Sequence, residues 1–194
     1  MKKRILSIIL SIVMLVGLLP TTSLAMPSHS HCVCGATHSD IGDHTTETSK
    51  NFGAWGNATS LPESGSYYLN TDVVLTATAN ITGELNLCLN GHSITNSATA
   101  AIAVNSDATL NICDCSTGET GGKIANTCSS NGRGIINSGI VNIYGGTIEA
   151  TGHSGRGIYL NSGTVNVYGG SVSGDTYSIY NDGTGLCDRI TDFS

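Results

Sequence analysis

Four short stretches of the chain repeat one pattern, aliphatic–Asn–aliphatic followed by Cys or Tyr. They are Leu85-Asn86-Leu87-Cys88, Leu110-Asn111-Ile112-Cys113, Val141-Asn142-Ile143-Tyr144 and Val165-Asn166-Val167-Tyr168, at spacings of 25, 31 and 24 residues. A strand motif returning at that period marks a stacked repeat, in which a unit buries its apolar side only against its neighbours and three or more are needed for a continuous core.

Two more strand series run in phase with the motif. One is Ala101–Val104, Gly134–Ile136, Gly157–Leu160 and Ser178–Tyr180; the other is Ser93–Thr95, Lys123–Ala125, Thr147–Glu149 and Ser171–Ser173. Each repeat therefore predicts three short strands, about four coils and a fragment in all. Strand alternation sends Leu85/Leu87, Leu110/Ile112, Val141/Ile143 and Val165/Val167 inward. It sends Asn86, Asn111, Asn142 and Asn166 outward, together with Cys88, Cys113, Tyr144 and Tyr168. A corner with Asn follows the first of these series each time, at Asn105, Asn137, Asn161 and Asn181. Asn tolerates the left-handed conformation such corners need, and stacked Asn amides can bond along the axis as a ladder.

The first 25 residues read as a secretory signal: basic Lys2-Lys3-Arg4, an apolar run from about Ile5 to Leu19, then Pro20 and the small-residue end Ser23-Leu24-Ala25. The run is short for a membrane span, so the expectation is export with cleavage, and no integral membrane anchor afterwards. Removing the signal leaves five basic residues against fourteen acidic ones, a net −9. Such a charge argues against nucleic acid and anionic membranes as partners. Gly, Ser, Thr and Asn fill most remaining polar positions, which suits strands and turns and disfavours long helices. The expected organisation is a signal over 1–25, a Cys/His-rich leader and N-terminal cap over 26–54, and the coils over 55–194. Leu186-Cys187-Asp188-Arg189-Ile190 breaks the alternation by putting Asp188 inside, which reads as an end cap or as truncation of a longer protein.

Cys32-Val33-Cys34-Gly35, Leu61-Pro62 leading to Tyr67-Tyr68-Leu69, Leu87-Cys88-Leu89-Asn90-Gly91-His92, Asn111-Ile112-Cys113-Asp114-Cys115 and the Tyr-Gly-Gly-Thr/Ser-Ile/Val rung endings carry a family resemblance over residues 31 to 180. The chain resembles the right-handed parallel β-helix proteins of the pectate-lyase-like group, and more narrowly the repetitive secreted surface proteins of Gram-positive gut and soil bacteria. The resemblance implies an all-β, right-handed parallel β-helix of about four to five coils. Its members include adhesin-like, glycan-binding and polysaccharide-cleaving proteins, so architecture does not name the activity.

Three groups of residues carry candidate chemistry. Cys32, Cys34, His38 and His44, with His29 and His31 just ahead, offer soft ligands to a structural zinc ion, which can order a segment that has no core of its own. The alternative is a leader with incidental His and with Cys that pair elsewhere. Cys88 and Cys113 stack within disulfide range, and Cys115 and Cys128 flank the longest excursion and could close it. Seven Cys cannot all pair within one chain. On the later rungs Tyr144 stacks with Tyr168, and Arg133 with Arg156 in matching Gly-Arg-Gly-Ile contexts. Aromatic faces and arginine forks suit an acidic polysaccharide; Glu149 or Asp175 could instead neutralise the arginines with no ligand.

The catalytic signature is weak. Uronic-acid lyases on this fold need a calcium-binding carboxylate cluster and a basic proton abstractor, and glycosidases need two facing carboxylates. No strand face collects three acids with a Lys or Arg. The expectation is a secreted, non-catalytic protein that mediates adhesion or binds cell-surface glycan, with a fragment of a polysaccharide lyase or hydrolase, or a structural spacer, as the alternatives.

Overall fold

In the computed structural model residues 29–31, 33, 50–116 and 121–190 are described, the last three of them as backbone only. A three-residue strand β1 (His29–His31) and β2 (Lys50–Trp55) precede five three-strand coils. The coils are β3 (Gly65–Leu69), β4 (Val73–Leu75) and β5 (Ala79–Ile81); β6 (Glu84–Cys88), β7 (Ser93–Asn96) and β8 (Ala100–Val104); β9 (Thr109–Cys113), β10 (Lys123–Asn126) and β11 (Arg133–Asn137); β12 (Ile140–Ile143), β13 (Thr147–Ala150) and β14 (Arg156–Leu160); and β15 (Thr164–Val167), β16 (Ser171–Gly174) and β17 (Tyr177–Asn181). A last strand, β18 (Leu186–Ile190), starts another turn. Among the described residues no helix is long and apolar enough to cross a membrane.

The strands stack into three parallel sheets, which make the chain a parallel β-solenoid of about five turns. The first sheet runs β1-β2-β3-β6-β9-β12-β15-β18, with only β1 antiparallel; the second runs β4-β7-β10-β13-β16 and the third β5-β8-β11-β14-β17. Registers follow the inward aliphatic columns. Leu85, Leu110, Val141 and Val165 are cross-strand neighbours, as are Leu87, Ile112, Ile143 and Val167. In the third sheet Ile102, Ile135, Ile158 and Ile179 align, and in the second Ile94, Ile124, Ile148 and Val172 do. These side chains form one core running the length of the coil. A one-residue slip would turn every one of them to the solvent side, so the columns specify the register.

The solenoid begins earlier than the alternation suggests. Lys50–Trp55, all but its last residue within the segment assigned to the cap, already pairs in parallel with β3, and Val73–Leu75 and Ala79–Ile81 complete a first coil of very short strands. At the far end the register between β15 and β18 shifts: Val165 pairs with Cys187 but Asn166 pairs with Arg189. This bulge leaves Asp188 without a register partner in β15.

The corner asparagines work differently from the expectation. None of Asn105, Asn137, Asn161 and Asn181 has a positive φ, whereas Gly163 and Gly183, two residues after Asn161 and Asn181, do. Asn137 and Asn181 instead accept a hydrogen bond from the backbone N–H two residues on, at 3.0 Å in both cases, and donate to Thr164 O and Gly185 O at 2.8 Å. Asn126 does likewise, accepting from Cys128 N at 3.0 Å and donating to Ala98 O at 2.8 Å. Asn126 and Asn137 have 0% exposure, so each amide closes a turn that water cannot reach.

The amide ladder lies on the outer side of the first sheet. Asn111 donates to Asn86 at 2.8 Å, Asn142 to Asn111 at 2.7 Å and Asn166 to Asn142 at 2.8 Å. At its foot Asn86 donates to Ser66 Oγ at 3.0 Å and Glu84 Oε1 at 3.2 Å. The Glu84 carboxyl is held below its ordinary 4.5, first by the Lys50 ammonium 2.7 Å away and then by Asn86. A depressed carboxyl contributes stability above its unfolded value and loses it as pH falls through the folded one. Glu84→Gln should therefore cost less than about 1 kcal/mol in urea unfolding at neutral pH, because the pair is exposed. The difference should vanish once the pH falls below the carboxyl's lowered folded value.

Candidate functional site

The outer side of the first sheet is not open throughout. Phe52, Cys88, Cys113 and Tyr144 form a second buried cluster with Val33, and Tyr68, Cys115 and Tyr168 pack against it. The cover over its lower part comes from the chain's beginning. β1 pairs along β2 with His29 opposite Phe52 and His31 opposite Lys50. The His29 ring stacks on Tyr68 with centroids 4.3 Å apart, and the His31 ring on Phe52 at 4.4 Å. The Phe52 and Tyr68 rings thus fix both imidazoles over the sheet, facing the strand cysteines.

Four potential ligand atoms converge there. His29 Nε2 lies 3.0 Å from His31 Nε2 and 3.2 Å from Cys115 Sγ, and Cys115 Sγ lies 3.2 Å from Cys88 Sγ. All four atoms fall within 4.8 Å of one another. Cys88 is fully buried and the other three are half-buried. The positions come from the β6 end, from the loop after β9, and from a segment more than fifty residues upstream.

The thiols are electrostatically unequal. The Cys88 thiol is pushed down to about 3, chiefly because Cys113 hydrogen-bonds to its thiolate; His31, Cys115 and His29 add to this against the opposing effect of burial. Cys113 is raised, first because its thiol serves as that donor and then because it is buried. Burial, followed by the bond to Cys88, pushes Cys115 up to about 12. Cys88 is therefore the first sulfur in the cluster to ionise, and the site favours one thiolate surrounded by donors.

This arrangement differs from the pairings anticipated from the sequence. Cys88 and Cys113 are register neighbours as expected, but both are thiols. Cys115 turns back toward Cys88 rather than across to Cys128, whose Sγ faces the Ser130 carbonyl at 3.3 Å. The four anticipated zinc ligands, Cys32, Cys34, His38 and His44, lie outside the described residues, as does the signal segment.

The Arg/Tyr candidates divide between two faces. Tyr144 and Tyr168 stack with centroids 4.9 Å apart and planes 10° from parallel. They follow β12 and β15 of the first sheet, and Tyr144 is buried in the cysteine cluster. Arg133 and Arg156 align in register but on the third sheet. Their aromatic neighbours are Tyr159 and Tyr180, which were not singled out in the sequence. The Arg133 guanidinium lies 4.5 Å from the Tyr159 ring centre; that of Arg156 lies 4.7 Å from Tyr180 and 5.7 Å from Tyr159. The two rings stack at 5.5 Å, giving a half-buried column in which cations and rings alternate.

The acids that could have neutralised this column are engaged elsewhere. Glu149 pairs with Lys123 at 3.0 Å, and Asp175 accepts the Ser154 N–H at 2.9 Å. Neither arginine forms an ion pair among the described residues, and the Nε of each is buried without a hydrogen-bond partner. Tyr159 O–H donates to Asp182 at 2.7 Å, which raises the phenol above its ordinary value and keeps it neutral. Side-chain packing beyond period-2 counting determines this column: each arginine leaves the start of its strand and folds over the ring of a later rung.

No protein-family model, curated protein or solved structure matches the chain.

Proposed function

We propose that this is a secreted or cell-surface, non-catalytic β-helix protein of the pectate-lyase-like kind, from a Gram-positive bacterium, that attaches to acidic polysaccharide through the third sheet. The observation that carries the reading is the Arg133–Tyr159–Arg156–Tyr180 column, in which neither arginine forms an ion pair among the described residues. Two like charges on adjacent strands, about 4.8 Å apart at the backbone, repel one another. A ligand that brings carboxylates to both relieves that repulsion. Arginine forks hold carboxylates in two-point contacts, and tyrosine rings offer flat apolar surface to sugar rings. Arginines one rung apart suit successive uronate units of an extended chain.

The signal segment and the acidic remainder of the sequence support an exported, extracellular protein whose binding face is a local basic exception. The purified full chain should be retained on immobilised polygalacturonate, less so as salt rises, and not on cellulose. Arg133→Ala or Arg156→Ala should weaken the apparent affinity by roughly 10-fold, the scale of a lost charge-assisted contact. Tyr168→Ala, a sheet away, should leave it unchanged. No retention on any of a broad glycan panel would sink the proposal. Release of unsaturated or reducing sugar by the pure protein would replace it with the lyase or hydrolase reading.

A further inference from the structure

We infer that His29, His31, Cys88 and Cys115 form a zinc site that clamps the start of the mature chain onto the outer face of the solenoid. The argument begins with the donor set. Two imidazole nitrogens and two sulfurs are the ligands of a Cys2His2 structural zinc centre, for which Zn–N of about 2.05 Å and Zn–S of about 2.3 Å are usual. A tetrahedron with those bonds has edges of about 3.3 Å between nitrogens, 3.6 Å between nitrogen and sulfur and 3.8 Å between sulfurs. The corresponding separations here are 3.0, 3.2 and 3.2 Å. These three separations fall short of the tetrahedral edges by about 0.3–0.6 Å, and no pair of the four atoms is more than 4.8 Å apart, so side-chain shifts of about 1 Å would place all four around one ion.

The surroundings fit an ion as well. The stacks on Tyr68 and Phe52 fix both rings with Nε2 facing the sulfurs. Cys113 is the register neighbour of the ligating Cys88, and the Asn90 side-chain oxygen lies 3.6 Å from Cys115 Sγ. Such outer contacts hold ligands in position around a metal. Buried, mixed N/S donors favour zinc over magnesium or calcium, which take oxygen.

The fold gives the ion something to do. β1 has three residues, pairs only with the sheet's edge strand and contributes no residue to the main core. Backbone pairing of that length cannot by itself order a segment. Binding energy from an ion shared with β6 and the loop after β9 can. The clamp also makes the sheet's lower edge a three-residue antiparallel strand, a shorter template for another chain than β2 would be.

The test uses the full chain purified without chelator. Elemental analysis should find one zinc per chain. Replacement by cobalt should give the visible bands of a tetrahedral ion and a thiolate-to-cobalt charge-transfer band. His29→Ala and Cys115→Ser should each weaken zinc binding by at least about 100-fold, more than the loss of an outer-shell partner. Cys128→Ser should leave it unchanged, and the far-UV circular dichroism of each variant should remain that of the β-solenoid. Chelation should expose the segment around His29–His31 to protease while the coils stay resistant.

Three results would overturn the site. One is zinc retained in both ligand variants. Another is zinc lost in Cys32→Ser and Cys34→Ser but kept in His29→Ala and Cys115→Ser, which would assign the ion to the leader alone. The third is a metal-free chain whose unreduced peptide map joins Cys88 to Cys115.

Discussion

Gly163→Ala should destabilise the protein by at least about 3 kcal/mol, whereas Gly183→Ala should cost about 1–2 kcal/mol, although both remove a glycine of positive φ. Gly163 has φ of +78° and Gly183 of +110°. Their surroundings separate them. A Cβ at Gly163 would run into the Gly139 carbonyl oxygen of the rung below, with Ser138 O at 2.8 Å, while one at Gly183 meets nothing within 4 Å. The obstructing atoms are backbone and already occupied: Gly139 O accepts from Thr164 N at 2.8 Å, and Gly139 N donates to Asn137 at 3.0 Å. They can retreat only by opening the corner where the fourth coil stacks on the fifth. The change in unfolded-chain entropy on replacing Gly by Ala is common to both variants. The difference between their urea-derived stabilities therefore measures the close approach itself. Equal costs, within about 0.5 kcal/mol, would show that rung spacing at this corner relaxes freely.

The same corner shows which parts of the fold are legible in the residues. Leu85, Leu110, Val141 and Val165 announce their alignment because period-2 burial leaves no other register, and the structure aligns them so. The Asn-Ser-Gly corners are visible too, but the division of labour within them is not. Asn and Gly both suit turns, and only geometry shows that Gly163 takes the left-handed φ while Asn137 supplies an amide to the backbone. Arg133 and Arg156 are predictable as a pair from their matching contexts. Their partners Tyr159 and Tyr180 are not, because a long side chain is free to fold across its own face and strand alternation says nothing of its end. The His/Cys cluster is the least legible. It joins His29 to Cys115 across 86 positions, and His-Ser-His has no apolar period to mark it as a strand. Local spacing instead drew attention to Cys32, Cys34, His38 and His44 as a set.

Asn111→Ala should cost about 2–4 kcal/mol, more than a typical exposed polar truncation, because it strands two neighbours instead of one and the first of them is buried. Asn111 is 8% exposed and Asn86 3%, so neither amide has water to fall back on. Without the Asn111 side chain, Asn86 Oδ1 loses its donor and Asn142 Nδ2 its acceptor. The buried Asn86 oxygen carries about 1–3 kcal/mol of lost solvation, and the half-buried Asn142 amide, which solvent can reach, about 1 kcal/mol. Asn166→Ala, at the other end of the described ladder, leaves a single half-buried acceptor on Asn142 that solvent can reach, and should cost about 1 kcal/mol. The two positions share a residue type, a strand position and a bond length, so the contrast isolates burial and the number of neighbours left unpaired. The double variant Asn86→Ala/Asn111→Ala should then cost less than the two single changes added together, since the second truncation removes the acceptor that the first left stranded. Strict additivity, or an Asn166→Ala cost equal to that of Asn111→Ala, would mean that the ladder's amides act independently and that the repeated Asn stabilises each strand locally and not the stack.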